Sequence, residues 1–218
     1  MPNLLWDNDI IFKSIDWGLQ EFLLKTFSLQ QGQNFHLAEC KYVGRRKFAK
    51  DPKGSKKIIS LESLLGELHY LPEQTDLQSG TIVKLLKTKS TKIDTGEALF
   101  VQYMQNKEGC LLTGDKRALN ELQIISNSVD LSFLNGRVIL WEDLLMHFLR
   151  KYPWKDIQNA VKKSNSKDPV FRTVFSKHNL GYKDNSKAIF ALESYLRTNQ
   201  TAYKQFLIPA ESLQRIFP

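Results

Sequence analysis

Cysteine is scarce in this chain: Cys40 and Cys110 stand 70 positions apart in apolar or mixed surroundings. That spacing excludes a disulfide framework and a Cys-x-x-Cys metal clamp, and predicts two reduced thiols in a cytoplasmic protein. Long apolar runs are missing too, since no segment approaches the roughly 20 residues that a membrane span needs. Met1-Pro2-Asn3 leads to Asp7 and Asp9 before any long apolar stretch, so the basic start and apolar middle of a signal peptide are not seen. His36, His69, His147 and His178 are too dispersed for a zinc-ligand spacing. Neither a glycine-rich phosphate loop nor a Gly-x-Ser-x-Gly elbow occurs. Acidic residues are in the minority, 23 against 31 basic, which gives a net charge of +8 and makes a polyanionic partner plausible.

What the chain does have is enough apolar substance for a packed core: 42% of its 218 residues are hydrophobic, with 13 Phe, 7 Tyr and 4 Trp. Trp6 and Trp141 read as core residues, whereas Trp17 and Trp154 are the better candidates for exposure and base stacking. The positive charge is concentrated. Lys41, Arg45, Arg46, Lys47, Lys50, Lys53, Lys56 and Lys57 face a single acid, Asp51, with Tyr42 and Phe48 interleaved. Lys84, Lys87, Lys89 and Lys92 follow without any acid between them. Each run is either a solvated face or a nucleic-acid contact, for which Arg45, Arg46, Lys47, Lys53, Lys56 and Lys57 are the candidates.

Leu4-Leu5-Trp6 reads as a buried strand ending at Asp7, followed at once by a helix through Ile10, Ile11, Ile15 and Leu19. Cys110 to Thr113, flanked by glycine, reads as a second buried strand, and Arg137 to Trp141 as a third. Helical stripes fill the intervals: Phe22 to Phe27, Leu37 toward Lys50, Leu61 to Leu68, Thr81 to Leu86, Ala98 to Met104 and Lys116 to Leu122. Strands separated by more than a hairpin predict a parallel sheet covered by helices, the three-layer α/β/α class. Beyond Glu142 the pattern is helical only, so the expected division is a domain over residues 1–152 and a helical C-terminal extension over 153–218.

In an open parallel sheet the ligand crevice lies beyond the carboxyl ends of the strands. Asp7 ends the first strand and Asp115 follows the strand through Leu112, so neighbouring strands would turn two carboxylates into one crevice. Glu97 lies 18 positions before Asp115, enough for about three turns of helix, a turn and a strand. Three carboxylates at one sheet end make a hard oxygen site suited to Mg²⁺ or Mn²⁺. Each acid also has a plainer role. Asp94-x-x-Glu97 fits an acidic capping box, Asp115 can cap the helix from Lys116, and Asp7 or Asp9 the helix near Ile10.

Leu4-Leu5-Trp6-Asp7-Asn8-Asp9-Ile10-Ile11, then Gly96-Glu97-Ala98, then Leu111-Leu112-Thr113-Gly114-Asp115 together resemble the PIN-domain nuclease family over residues 4–143. The resemblance implies a PIN-like fold, an Mg²⁺- or Mn²⁺-dependent nuclease with RNA as substrate, and products bearing 5′-phosphate and 3′-hydroxyl ends. It implies that Asp7, Glu97 and Asp115 are catalytic and hold the metal. Asp9 would stand where the family has a polar residue, and Thr113 would orient the third acid. The family's further acid, in a Glu-Leu context, has no match; Glu39, in Ala38-Glu39-Cys40-Lys41, is the nearest candidate. Glu142 and Asp143 are candidates for supporting acids or for helix N-terminal residues. A toxin-antitoxin or defence effector and an RNA-processing enzyme are all compatible with this reading, as is a protein partner or inhibitor.

Two other readings stay open. Asp7-Asn8-Asp9 supplies the Asp-x-Asp of a haloacid-dehalogenase-like phosphatase, although Lys116, Arg117, Ala118 and Leu119 follow Gly114-Asp115 where that family expects a further Asp. The third is a basic RNA-binding module without turnover.

Overall fold

The computed structural model describes residues 2–27, 33–72, 74–90, 92–164, 166–199, 203–209, 212, 213 and 216. The chain starts with β1 (Asn3–Trp6), α1 (Asn8–Trp17) and α2 (Gln20–Phe27). Gly18 ends α1 at φ 75° and donates to Ile15 O and Ser14 O; a side chain there would be strained by the backbone and would press on Ala160 O at 2.7 Å. Next come β2 (Asn34–His36), α3 (Cys40–Phe48), α4 (Gly54–Gly66), β3 (His69–Tyr70), α5 (Gln74–Gln78), α6 (Thr81–Lys89) and α7 (Thr95–Asn106). They are followed by β4 (Gly109–Thr113), α8 (Lys116–Ile125), β5 (Val138–Leu140) and α9 (Trp141–Lys151). The last helices are α10 (Trp154–Val161), α11 (Pro169–Val174), α12 (Lys177–Leu180) and α13 (Ser186–Asn199).

The five strands form one parallel sheet in the order β3-β2-β1-β4-β5. β1 lies at the centre because Leu4 and Leu5 are fully buried on opposite faces, as parallel strands covered on both sides require. Alternation splits the strand residues between two cores. Leu4, Trp6, Cys110, Leu112 and Ile139 join one; Leu5, Leu111, Val138 and Leu140 join the other. Helices α1, α2, α3, α4 and α9 cover the first face, and α6, α7 and α8 the second. The expected α/β class is therefore found, with two strands, β2 and β3, that periodicity had not indicated. Trp141, expected to end the third strand, instead opens α9.

The helices beyond residue 153 continue the first core. Val170, Phe171, Val174, Phe175, Ala188 and Leu192 pack into it, with the Trp17 ring edge-on to Trp141 and Phe171 at 5.1 Å each. Trp17 is 1% and Trp154 7% exposed, which corrects the expectation that they face solvent for base stacking. Large aromatic area is worth more buried than displayed. Leu207 forms a parallel bridge to Val138, and Ile208 N–H donates to Val138 O at 3.0 Å, so residues 207 and 208 lie along the β5 edge. Among the described residues no helix is long and apolar enough to cross a membrane.

Candidate functional site

The chain leaves β1 to build β2 and β3 on one side, then returns to build β4 and β5 on the other. The strand order reverses between β1 and β4, and beyond the carboxyl ends of such a pair the flanking loops diverge and leave a crevice. Asp7 and Asp115 both lie there. Asp7 directly follows β1, its N–H donating to Leu112 O of β4 at 3.0 Å. Thr113, the last residue of β4, donates its hydroxyl to Asp7 Oδ2 at 2.7 Å and accepts the Asp115 N–H on the same oxygen at 3.1 Å. Thr113 thus links the two aspartates, and its first partner is Asp7.

Asp115 is also the N-cap of α8. Its Oδ1 accepts the N–H groups of Arg117 at 2.8 Å and Ala118 at 3.1 Å, while Oδ2 pairs with Arg117 Nη2 at 2.8 Å. Glu97 closes the expected capping box on α7: Asp94 N–H donates to Glu97 Oε2 and Glu97 N–H to Asp94 Oδ1, both at 2.8 Å. Asp115 and the Asp94–Glu97 pair thus fill the capping roles that their spacing suggests.

Burial pushes the Asp7 carboxyl up to about 7; the Thr113 hydrogen bond opposes the rise, and the charges of Asp9, Asp94 and Asp115 add to it. Burial likewise pushes Glu97 up to about 8, opposed by the Asp94 N–H and helped by the charges of Asp94, Asp7 and Asp115. Burial would raise Asp115 also, but the Arg117 side chain and the capping N–H groups overcome it and hold that carboxyl below its ordinary value. The charges of Asp94 and Asp115 thus act on both Asp7 and Glu97. Asp7, Glu97 and Thr113 border a cavity of about 10 Å³, closed by Phe100, Val101, Leu111, Ala118, Leu119 and Leu122. It has room for a single water.

The supporting candidates fall in different places. Asp9 pairs with Lys13 at 2.8 Å, and its carboxylate packs against Gly114 so closely that a side chain at 114 would stand 2.3 Å from Asp9 Oδ2. Glu39 lies just before α3, its Oε1 3.8 Å from where a Gly96 side chain would begin and beside the Asp94–Glu97 cap. Its charge and that of Asp7 help to push the Cys40 thiol up to about 12, burial being the main cause. Asp143 lies apart: it accepts the Leu140 N–H at 3.0 Å at the start of α9, and burial raises it to about 6. Glu142 pairs with Lys116 at 2.7 Å.

Sequence reading overlooked Asp94 as a member of the acidic group, and also Lys13, Arg117 and Asp168. Asp168, in the C-terminal stretch, reaches Lys13 at 3.4 Å. Lys13, Arg117 and Asp168, with Asp115, Lys116, Glu142 and Tyr195, border a cleft of about 500 Å³. Only the Asp94-x-x-Glu97 spacing gave an advance signal, and it signals a cap.

The basic segment is less free than its composition suggests. Arg45 pairs with Glu62, Lys47 with Asp16 at 3.9 Å, and Lys57 with Asp16 and Asp51 at 2.7 Å each. Lys53 donates to Lys163 O at 2.9 Å. Tyr42, 72% exposed, stands on α3 among these side chains.

The donor set Asp7, Glu97 and Asp115 consists of hard carboxylate oxygens, and two of its members carry a burial penalty that a divalent cation would relieve. In chemistry and charge it fits Mg²⁺ or Mn²⁺. Its side chains are not drawn together: among the described residues no three His, Cys, Asp or Glu form a ready ligand group, and Arg117 covers Asp115 Oδ2. Comparison with family models, with curated proteins and with solved structures gives no match for this chain.

Proposed function

We propose that this chain is a metal-dependent nuclease of the PIN type, hydrolysing phosphodiester bonds in nucleic acid and in RNA before DNA. One observation carries the reading: Asp7 and Glu97 border one small cavity, both with raised pKa, and Thr113 ties Asp7 to the Asp115 backbone where the strand order reverses. Buried acids in electrostatic contact are costly without a partner, and functional sites are where such costs concentrate. Asp7, Glu97 and Asp115 would hold Mg²⁺ or Mn²⁺. Such an ion supplies an acidified water and charge neutralisation at the attacked phosphate.

The chain's own residues have separable tasks in this scheme. Thr113 fixes the Asp7 carboxylate and, through the Asp115 N–H, the start of α8. The Asp94 cap fixes Glu97 at the first turn of α7. The net charge of +8 and the exposed basic side chains of α3 support attraction of a nucleic-acid backbone. The reading is tested with end-labelled RNA and DNA lacking terminal phosphates, incubated with and without Mn²⁺. Internal cleavage that needs Mn²⁺ is the expected result. Turnover of an aryl phosphate monoester with phosphate trapped on Asp7, and no cut in either polymer, would establish the phosphatase instead. Binding of RNA without any cleavage would establish the non-catalytic module.

A further inference from the structure

We infer that Arg117 is a displaceable arm, which holds Asp115 until a divalent cation takes that carboxylate and then contacts a phosphate of the strand in the adjoining cleft. The inference rests on the nuclease reading and assigns to this crevice a residue that enforces the order of binding, cation first and nucleic acid second.

Arg117 is tied down at one end only. Its guanidinium meets Asp115 Oδ2 at 2.8 Å and Oδ1 at 3.4 Å, yet its side chain is 87% exposed. Helix stability does not account for it. Arg117 is the second residue of α8, next to the positive end of the helix dipole, where a cation is disfavoured. Asp115 does not need it for capping either, because Oδ1 already accepts two backbone N–H groups. What the guanidinium covers is Oδ2, the oxygen left over for a cation.

The cleft beside it has a charge balance that opposes a phosphate. Asp9, Asp115, Glu142 and Asp168 face it against Lys13, Lys116 and Arg117, a net charge of −1. The cations are committed: Lys13 to Asp9 and Asp168, Lys116 to Glu142, and Arg117 to Asp115. A divalent cation on Asp115 turns −1 into +1 and sets the guanidinium free within the same cleft. A planar fork of donors then matches two phosphate oxygens, which a point-charge lysine does not. Exchange is feasible because a solvent-exposed ion pair biases an equilibrium by no more than about fivefold.

The arm is tested on the full chain with Mn²⁺ titration, followed by the spectroscopic signal of free Mn²⁺, and with binding of a fluorescent oligonucleotide whose 3′-bridging oxygens are replaced by methylene groups, which keeps the phosphate charge and removes the P–O bond that water attack would break. Arg117→Ala removes the competitor, so it should bind Mn²⁺ about two- to fivefold more tightly while binding the oligonucleotide more weakly in Mn²⁺. In EDTA, Asp115→Asn frees the arm without any metal and should bind the oligonucleotide more tightly than the wild type; Asp115→Asn combined with Arg117→Ala should lose that gain. Unchanged or weaker Mn²⁺ binding by Arg117→Ala, or a gain that survives in the double variant, overturns the arm while wild-type cleavage stands. A wild type that neither binds Mn²⁺ nor cleaves RNA or DNA overturns the nuclease reading and the arm together.

Discussion

Replacing Asp7 by Asn should make the protein more stable at alkaline pH in EDTA, although it removes a charged residue from the centre of the candidate site. The folded protein holds the Asp7 carboxyl at about 7 against an ordinary value of 3.8, chiefly through burial. Below about pH 4 the carboxyl is protonated in folded and unfolded chains alike, and there is no cost. As pH rises toward 7 only the unfolded chain releases the proton freely, so stability falls; above 7 the full cost is present. Three units correspond to about 4 kcal/mol at 1.36 kcal/mol per unit. Because Asp7 keeps some contact with solvent, a gain of about 1–3 kcal/mol for Asp7→Asn near pH 8 is the realistic expectation. The amide oxygen can still accept the Thr113 hydroxyl, so the geometry is kept. Glu97, raised to about 8, adds to the pH dependence of the wild type in the same sense. Urea unfolding in EDTA near pH 5 and near pH 8 measures both proteins. A wild type equally stable at both pH values, or an Asp7→Asn variant less stable than wild type near pH 8, would refute the argument from burial. Mn²⁺ should flatten the wild-type pH dependence and leave that of Asp7→Asn unchanged.

Asp115→Asn should abolish cleavage with little loss of stability, since Asn caps helices as well as Asp does; retained turnover in the end-labelled RNA assay would remove Asp115 from the site. Glu97→Gln separates cap from catalysis: Gln can also reach back in a capping box, and by the burial argument made for Asp7 the variant should be no less stable near pH 8, so cleavage lost assigns Glu97 to chemistry and cleavage intact assigns it to the cap. Neutralising Arg45, Arg46 and Lys47 should lower the salt slope of oligonucleotide binding by about 0.7–0.9 for each phosphate that these side chains had neutralised, and an unchanged slope returns α3 to a solvated face. Arg137 donates to the carbonyls of Gly109, Met104, Phe133 and Lys107. Arg137→Met should therefore destabilise by about 2–4 kcal/mol, read from the urea midpoint, with no direct effect on the crevice.

The sequence by itself determined the three buried strands that run into Asp7, Asp115 and the Glu142 region, because an apolar run covered on both faces is visible without knowing what covers it. It also determined most helices and the Asp94–Glu97 cap, whose interactions are local and complete within one turn. It did not disclose β2 and β3. Asn34–His36 and His69–Tyr70 are too short and too polar at their ends to show a period; β2 is a strand because β1 offers it an edge, and β3 because β2 does in turn. Nor did it disclose that the basic segment is partly neutralised by Asp16 and Glu62, residues distant in sequence, or that Trp17 and Trp154 are enclosed by helices of the C-terminal stretch. Asp7 and Asp115 were legible as acids at strand ends; their meeting was decided by the order β3-β2-β1-β4-β5, which makes β1 and β4 neighbours. Local patterns record how each segment will be buried. Which segments then share a crevice, and with what effect on one another's protons, depends on distances that only the folded chain sets.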